Sequence, residues 1–482
     1  MSGTSARGVP ARLPEDFVDK PVVLTAHPLQ RCGAFTMAAM AHVAHPREVD
    51  EALFRGVWQE MTTTLVKMAE LPDAKEPGAF WLSLSYMLWP NSKMNTTNRK
   101  KLSYVERAEA TKAWRTPPDP EEWPQAPCGL CARQACGFFG KVDVVLAASA
   151  EYRNTTVPGH DGLALCVGCL ASFYALPHGC LVHRGRLSVV HSWDDDFLAA
   201  STYRQVEHTR KQAWGRPPAL PPGGFEREQL VLEGIRRYRP RTTVSADVSL
   251  LVFTNSNKEQ EFTEYQLSQS MTRWVRTVSL RPRWSASYAE LERACTTRKV
   301  SGAARLARLL VAEPARLPYT IAAAVHGAVD GAKPARVPAV AVGLCELLSS
   351  YLTEVMRMPE QYLREIEQLG ARAAELIIAQ SLSLKKFTVA YRRTGDLRRW
   401  INSQSVAWLT ADFAKKREPF IEPRQIKLLF EYGDQAWLYR NLFFTAVIAE
   451  LHKRGYATDD EDAADARDTV ESTQTEDGDE EE

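Results

Sequence analysis

Pro127-Cys128-Gly129-Leu130-Cys131 and Leu165-Cys166-Val167-Gly168-Cys169 are the two stretches whose reading decides the fold. Two Cys-x-x-Cys pairs with 34 residues between them form the pattern of a four-thiolate metal site. Two sulfurs on one tight knuckle both reach an ion at a Zn–S distance of about 2.3 Å, and a second knuckle completes the tetrahedron. The spacing matches neither ferredoxin pattern, so structural zinc is expected on Cys128, Cys131, Cys166 and Cys169 rather than an iron–sulfur cluster. The gap is longer than that of a zinc ribbon, which predicts an insert with a small fold of its own. Four reduced core cysteines are the plainer alternative, but it does not account for the x-x spacing occurring twice.

Working outward, two proline-rich seams bracket the cysteines. One runs from Thr116 to Pro127 and the other from Gly215 to Gly224. Stacked prolines remove backbone donors and favour extended chain, so both are read as linkers or long surface loops. Inside the bracket, Val142 to Ala147 is read as a buried strand, and Glu151 to His160 as a polar loop with Arg153, Asn154 and Thr155. Cys136, Cys180, His160, His178 and His183 are spare potential ligands, each expected to be a loop or core residue. Asp194-Asp195-Asp196 invites a metal-dependent nuclease reading. It lacks a partnered His or Glu at ligand spacing, and an acidic turn or helix start fits better.

Before the first seam, Val22 to Ala26 is a short strand-like run leading into a turn at His27-Pro28. From Ala52 to Leu71, Leu53, Val57, Met61, Leu65 and Met68 recur at helical spacing. Then Tyr86-Met87-Leu88-Trp89 leads into Pro90-Asn91-Ser92-Lys93-Met94-Asn95-Thr96-Thr97-Asn98-Arg99-Lys100-Lys101, a loop without acids. Asn side chains read base edges, and Lys or Arg supplies salt-sensitive attraction to phosphates. A solvated loop of Asx-turns is the equal alternative.

Beyond the second seam, Val248 to Thr254 is read as a strand ending in Asn255-Ser256-Asn257-Lys258, with a polar helix expected next. Such a junction suits helix capping or a phosphate site. Arg236, Arg237, Arg239 and Arg241 precede it; Arg273, Arg276, Arg281 and Arg283 follow, with Trp274 and Trp284 interleaved. This composition suggests a nucleic-acid surface. From about Ser301 onward, stripes such as Leu363, Ile366, Leu369, Ala373 and Ile377 predict an antiparallel helical bundle.

The 482 residues carry a formal charge of +1 that conceals a segregation. Asp459 to Glu482 holds 13 acidic residues and one basic residue, so this tail is −12 and the body +13. Such a tail is expected to be disordered, with solubility or competition for the basic surface as its role. Nine cysteines, no signal peptide and no apolar run of 18 residues predict a soluble, cytoplasmic chain. Glycine-rich phosphate loops, the Gly-x-Ser-x-Gly elbow and His-Glu-x-x-His are missing from the sequence, which predicts a binding protein rather than an enzyme.

The expected fold class is α+β: a mixed N-terminal domain with an inserted four-cysteine zinc module, followed by an α-helical bundle C-terminal domain. The expected divisions are 1–115, the zinc module at 116–224, the remainder of the N-terminal domain at 225–300, the bundle at 301–457 and the acidic tail at 458–482.

The order His27-Pro28, Pro90-Asn91-Ser92, two Cys-x-x-Cys pairs, Pro177-His178-Gly179 and Phe253-Thr254-Asn255-Ser256 resembles the CXXC–CXXC large subunits of type I CRISPR Cascade complexes (type I-B and related), over roughly residues 20–270. The chain departs from that pattern after Pro28, where Leu29-Gln30-Arg31-Cys32 stands in place of an Asp- or Asn-rich loop. The resemblance implies a non-catalytic subunit that binds crRNA and target double-stranded DNA, and recognises the protospacer-adjacent motif. It further implies sibling backbone, 5′-handle-binding and small subunits as partners, recruitment of a helicase–nuclease, and no membrane. On that reading Asn91, Lys93 and Asn95 contact the motif, and Arg99, Lys100 and Lys101 hold phosphates. Asn255, Lys258, Arg273 and Arg276 then face the guide handle or target backbone. The rival expectation is a stand-alone zinc-dependent DNA-binding or regulatory protein.

Overall fold

A computed structural model describes residues 20–76, 78–147, 162–215, 224–238, 244–256, 260–330, 339–379, 384–410 and 418–456. The architecture is α+β and mostly helical, with small antiparallel sheets. The chain divides into two units: residues 1–220 with 237–269, and residues 221–236 with 270–482. The division thus falls at 269/270 rather than near 300, and of the segment after the second seam residues 225–236 group with the C-terminal unit while 237–269 stay with the first. Among the described residues, no helix is long and apolar enough to cross a membrane.

The first unit begins with α1 (Pro28–Met40), where Pro28 sits in the first turn and the His27 ring nitrogen accepts the Gln30 amide at 3.3 Å. The strand expected over Val22 to Ala26 is absent because Gln30 supplies its backbone partners instead. The fully buried Gln30 carboxamide accepts the Thr25 N–H at 3.1 Å and donates to the Val23 carbonyl at 2.7 Å and Ser172 Oγ at 3.1 Å. Next come α2 (Glu51–Glu70), α3 (Phe80–Leu88), α4 (Thr96–Arg99) and α5 (Tyr104–Arg115). Helix α2 is capped by Asp50 and buries Phe54, Val57, Met61, Leu65 and Ala69, one position round from the expected stripe at its two ends. A capping box between Ser103 and Glu106 starts α5.

The cysteine region does not fold as a separate insert. Strands β1 (Gly137–Phe139) and β2 (Leu163–Leu165) pair with each other, but α6 (Val167–Ala175) packs directly on α1. Their approach is so close that a Cβ on Gly33 would overlap the Ser172 carbonyl. The rest of the bracketed segment builds the main sheet and its cover: β3 (Leu181–His183), β4 (Arg186–Ser192) and α7 (Asp195–Ala213). Strands β5 (Val248–Asn255) and β6 (Gln260–Leu267) complete the antiparallel order β3-β4-β5-β6, with Leu187 opposite Phe253 and Asn255 opposite Gln260. The helix expected after Asn255 is thus the edge strand β6. Nor is Val142 to Ala147 a strand: its amides turn back locally, Val144 to the Gly140 carbonyl at 2.9 Å and Ala147 to Val144 at 3.3 Å.

The second unit contains α8 (Glu226–Arg237), α9 (Gln269–Leu280), α10 (Pro282–Ala294), α11 (Gly302–Ala312), α12 (Leu317–Asp330), α13 (Ala339–Glu354), α14 (Glu360–Ala379), α15 (Leu384–Arg392), α16 (Thr394–Thr410), α17 (Pro423–Phe430) and α18 (Ala436–Lys453). Helix α18 packs against α12, α13, α14 and α17, burying Phe443, Phe444, Val447, Ile448 and Leu451. Gly370 of α14 faces it so closely that an added Cβ would meet Ala446 Cβ at 2.6 Å. The expected stripe Leu363, Ile366, Leu369, Ala373 and Ile377 is buried throughout.

His178 lies in the first unit's core with its ring 4.4 Å from that of Trp81. Burial, helped by the charges of Arg115 and Arg210, pushes its pKa down to about 3. The unfolded chain takes up this proton near pH 6.5 while the folded chain refuses it. Stability is therefore complete above about pH 6.5 and falls as the pH drops towards 3. Denaturant unfolding should show His178→Met losing about 2 kcal/mol less than the native chain between about pH 7 and about pH 5. Parallel losses in the two proteins would contradict this account.

Candidate metal centre and nucleic-acid interface

The four knuckle cysteines converge as their spacing predicts. The Sγ atoms of Cys128, Cys131, Cys166 and Cys169 all lie within 4.8 Å of one another, and Cys131 and Cys166 are 3.4 Å apart. A tetrahedral thiolate site with bonds of about 2.3 Å has sulfur–sulfur edges of about 3.8 Å, so the donor set fits one metal ion. All nine cysteines are free thiols.

Local backbone chemistry explains the convergence. The first knuckle turns back on itself: the Cys128 N–H donates to the Arg133 carbonyl at 2.6 Å, and Ala132 adopts a left-handed φ of 62° to close the turn. The Gly129 N–H donates to the Ala164 carbonyl at 2.9 Å and Cys136 to Leu165 at 2.8 Å, which registers this knuckle beside β2. Cys166 caps α6, its sulfur accepting the Cys169 N–H at 3.5 Å. Hydrogen bonds from its three neighbours hold the Cys128 thiol well below the usual range, while Cys128, Cys131 and Cys166 push Cys169 well above it. One anion in such a cluster resists a second, and a shared cation removes that conflict.

The spare sulfurs stay out of the cluster. Cys136 is buried with its thiol pushed up to about 11 by desolvation, and Cys180 donates to the Leu176 carbonyl at 3.2 Å. His160 lies outside the described residues, as does the loop Glu151 to His160. The aspartate run starts α7. Asp194 accepts the Phe197 N–H at 2.9 Å and the Ser245 N–H at 2.8 Å, while Asp195 pairs with Arg31 and with His45 at 3.1 Å.

The candidate nucleic-acid residues separate by burial. Asn91, Lys93, Lys100 and Lys101 are exposed, and Asn91 holds a left-handed φ of 64°. None of the three lysines makes an ion pair among the described residues. Two expected contacts on the same loop are corrected. Asn95 is buried at the start of α4 and cannot reach a base edge in this conformation. Arg99 is turned inward, donating to the Leu71 and Pro72 carbonyls.

Asn255 is corrected too. It is fully buried, its amide donating to the Leu88 and Lys141 carbonyls at 2.8 Å each, and its oxygen accepting the Leu146 N–H at 3.1 Å. Its role is to join α3, the 141–147 turn and the β5–β6 hairpin. Lys258, Arg239, Arg241 and the acidic tail lie outside the described residues. On α9, Arg273 is exposed and Arg276 half-buried. The interleaved tryptophans face inward: Trp274 is fully buried with its N–H on Ser350 Oγ at 2.8 Å, and Trp284 reaches Glu346 at 3.4 Å. The sequence reading missed a second cationic feature, Arg305 and Arg308 on α11 with Arg316 beyond it. Its only signal was cations three residues apart on a helix whose other face is apolar.

No family model, curated protein or solved structure matches this chain.

Elemental analysis of the purified protein should find one metal ion per chain. The pair Cys128→Ser and Cys131→Ser should abolish it and lower stability by several kcal/mol, a fraction of the roughly 10–16 kcal/mol that structural zinc supplies in isolated fingers. A native chain free of metal would overturn the four-thiolate assignment.

Proposed function

We propose that the chain is a non-catalytic large subunit of a type I CRISPR Cascade-type surveillance complex, acting in the cytoplasm with a structural zinc ion on Cys128, Cys131, Cys166 and Cys169. The supporting observation is the loop from Asn91 to Lys101. It presents three exposed lysines that make no ion pair among the described residues and an exposed Asn, while Arg99 and Asn255 anchor the adjoining backbone from inside. Rigid backing with exposed donors is what positioning on a duplex requires. The ordered motifs around it supply the family resemblance.

In this reading the guide RNA reads the target by base pairing and the protein reads a short duplex motif, a division of labour seen in RNA-guided effectors. Asn91 contacts the motif's base edges with Lys93 beside it. Lys100 and Lys101 hold phosphates, and Arg273 and Arg276 contact guide or target backbone. Cleavage belongs to a recruited helicase–nuclease.

The test uses the complex assembled with guide RNA and duplexes randomised beside the guide-matched segment. Asn91→Gly removes the side chain while keeping a residue that tolerates the left-handed backbone. It should flatten the motif preference, at about 1–3 kcal/mol per lost base contact. Lys100→Ala with Lys101→Ala should weaken every duplex alike and reduce the salt slope by about 0.9 per lost phosphate contact. Native protein isolated without guide RNA or sibling subunits, and binding duplex tightly alone, would favour a stand-alone DNA-binding protein instead.

A further inference from the structure

Two open cavities of about 580 Å³ and about 690 Å³ meet on the second unit and share Arg305, Tyr319 and Thr320 as lining residues. Together they form a groove along α10, α11 and α12. Its lining carries Arg293, Arg305, Arg308 and Arg316 against Glu290 and Glu313. The exposed Arg298 and Lys299 lie between the lining residues Thr297 and Val300. Glu313 is shared by Arg308 and Arg316, and Glu290 pairs with Arg293. Arg305, at the junction, is exposed and makes no ion pair among the described residues. The groove therefore has more positive charge than its own carboxylates neutralise, and threonine and tyrosine hydroxyls lie beside it.

The same unit ends in a segment of opposite charge. Asp459 to Glu482 carries a net −12. Helix α18 leads to it, and that helix touches the groove: Trp437 stacks on Tyr319 with ring centroids 3.3 Å apart and planes 11° from parallel. From Trp437 to Lys453 the helix rises about 24 Å. The residues after Tyr456 span up to about 85 Å when extended, so the tail reaches the groove with length to spare.

We propose that the acidic tail, Asp459 to Glu482, docks in cis into the arginine-lined groove of α10–α12. There it acts as an internal polyanion that holds the groove until a stronger polyanion displaces it. The attraction is between exposed charges, so it is strong at low ionic strength and screened at high. The inference concerns this unit alone and stands whether or not the Cascade reading holds.

The test places a photo-crosslinker in the full-length chain at Thr469 and maps the captured peptides by mass spectrometry. At about 50 mM salt, cross-links should concentrate within residues 293–320 of the same chain and fall at least about fivefold at about 500 mM, where the Debye length is only a few ångströms. The double variant Arg305→Glu with Arg308→Glu should lose them equally. Arg305→Gln, which removes the charge while keeping an exposed polar side chain, should give an intermediate loss with unfolding behaviour unchanged. Capture spread over other segments, capture of a second chain, or cross-links indifferent to these substitutions would overturn the proposal. So would a tail left uncaptured while the same groove takes up added single-stranded oligonucleotide.

Discussion

Four sulfur atoms gathered within 4.8 Å are the constraint on which the first unit depends. They join the turn after the proline seam, the end of β2 and the first turn of α6, adding to the few backbone hydrogen bonds that set the first knuckle beside β2. Several thiolates at this separation repel one another and resist burial, so the cluster favours its folded geometry when a cation is shared. Through α6 the constraint passes to α1 at the Gly33–Ser172 contact, where only a residue without a Cβ fits. The cysteine cluster at one edge thus bears, through α6, on the packing of a helix that is buried along nearly its whole length.

Around that centre, buried polar side chains take over what secondary structure does elsewhere. Gln30 takes the place of a neighbouring strand for residues 23–25, and Asn255 ties three separate segments with four hydrogen bonds. Because an unpaired buried amide is costly, each clamp specifies a single arrangement of the segments it joins. Arg115 is held differently. Its guanidinium lies 3.9 Å from the Trp114 ring, 4.0 Å from that of Tyr174 and 4.6 Å from that of Trp89. Desolvation pushes its pKa down to about 10, and the aromatic faces compensate part of that burial.

The second unit follows simpler rules. Amphipathic helices bury their apolar stripes on α18, and close approach at Gly370 allows α14 to lie against it. Its polar faces then meet across the groove of α10–α12, where cations outnumber carboxylates. Charge segregation visible along the chain reappears there as a local excess on one surface.

The sequence by itself determined whatever depends on near neighbours. The x-x spacing marked all four cluster cysteines, the 3.6-residue stripes marked the C-terminal helices, and the aspartate run marked a helix start, because each is a property of a few consecutive residues. Tertiary structure decided what polar residues do. Asn95, Arg99 and Asn255 look like Asn91 and Lys93 in composition, yet they face inward, and Asn255 takes partners more than 100 residues away. It also decided that Val22 to Ala26 and Val142 to Ala147 are not strands, and that a strand rather than a helix follows Asn255. Strand formation requires a partner with free donors and acceptors, and where each lies is a long-range fact that no local pattern encodes.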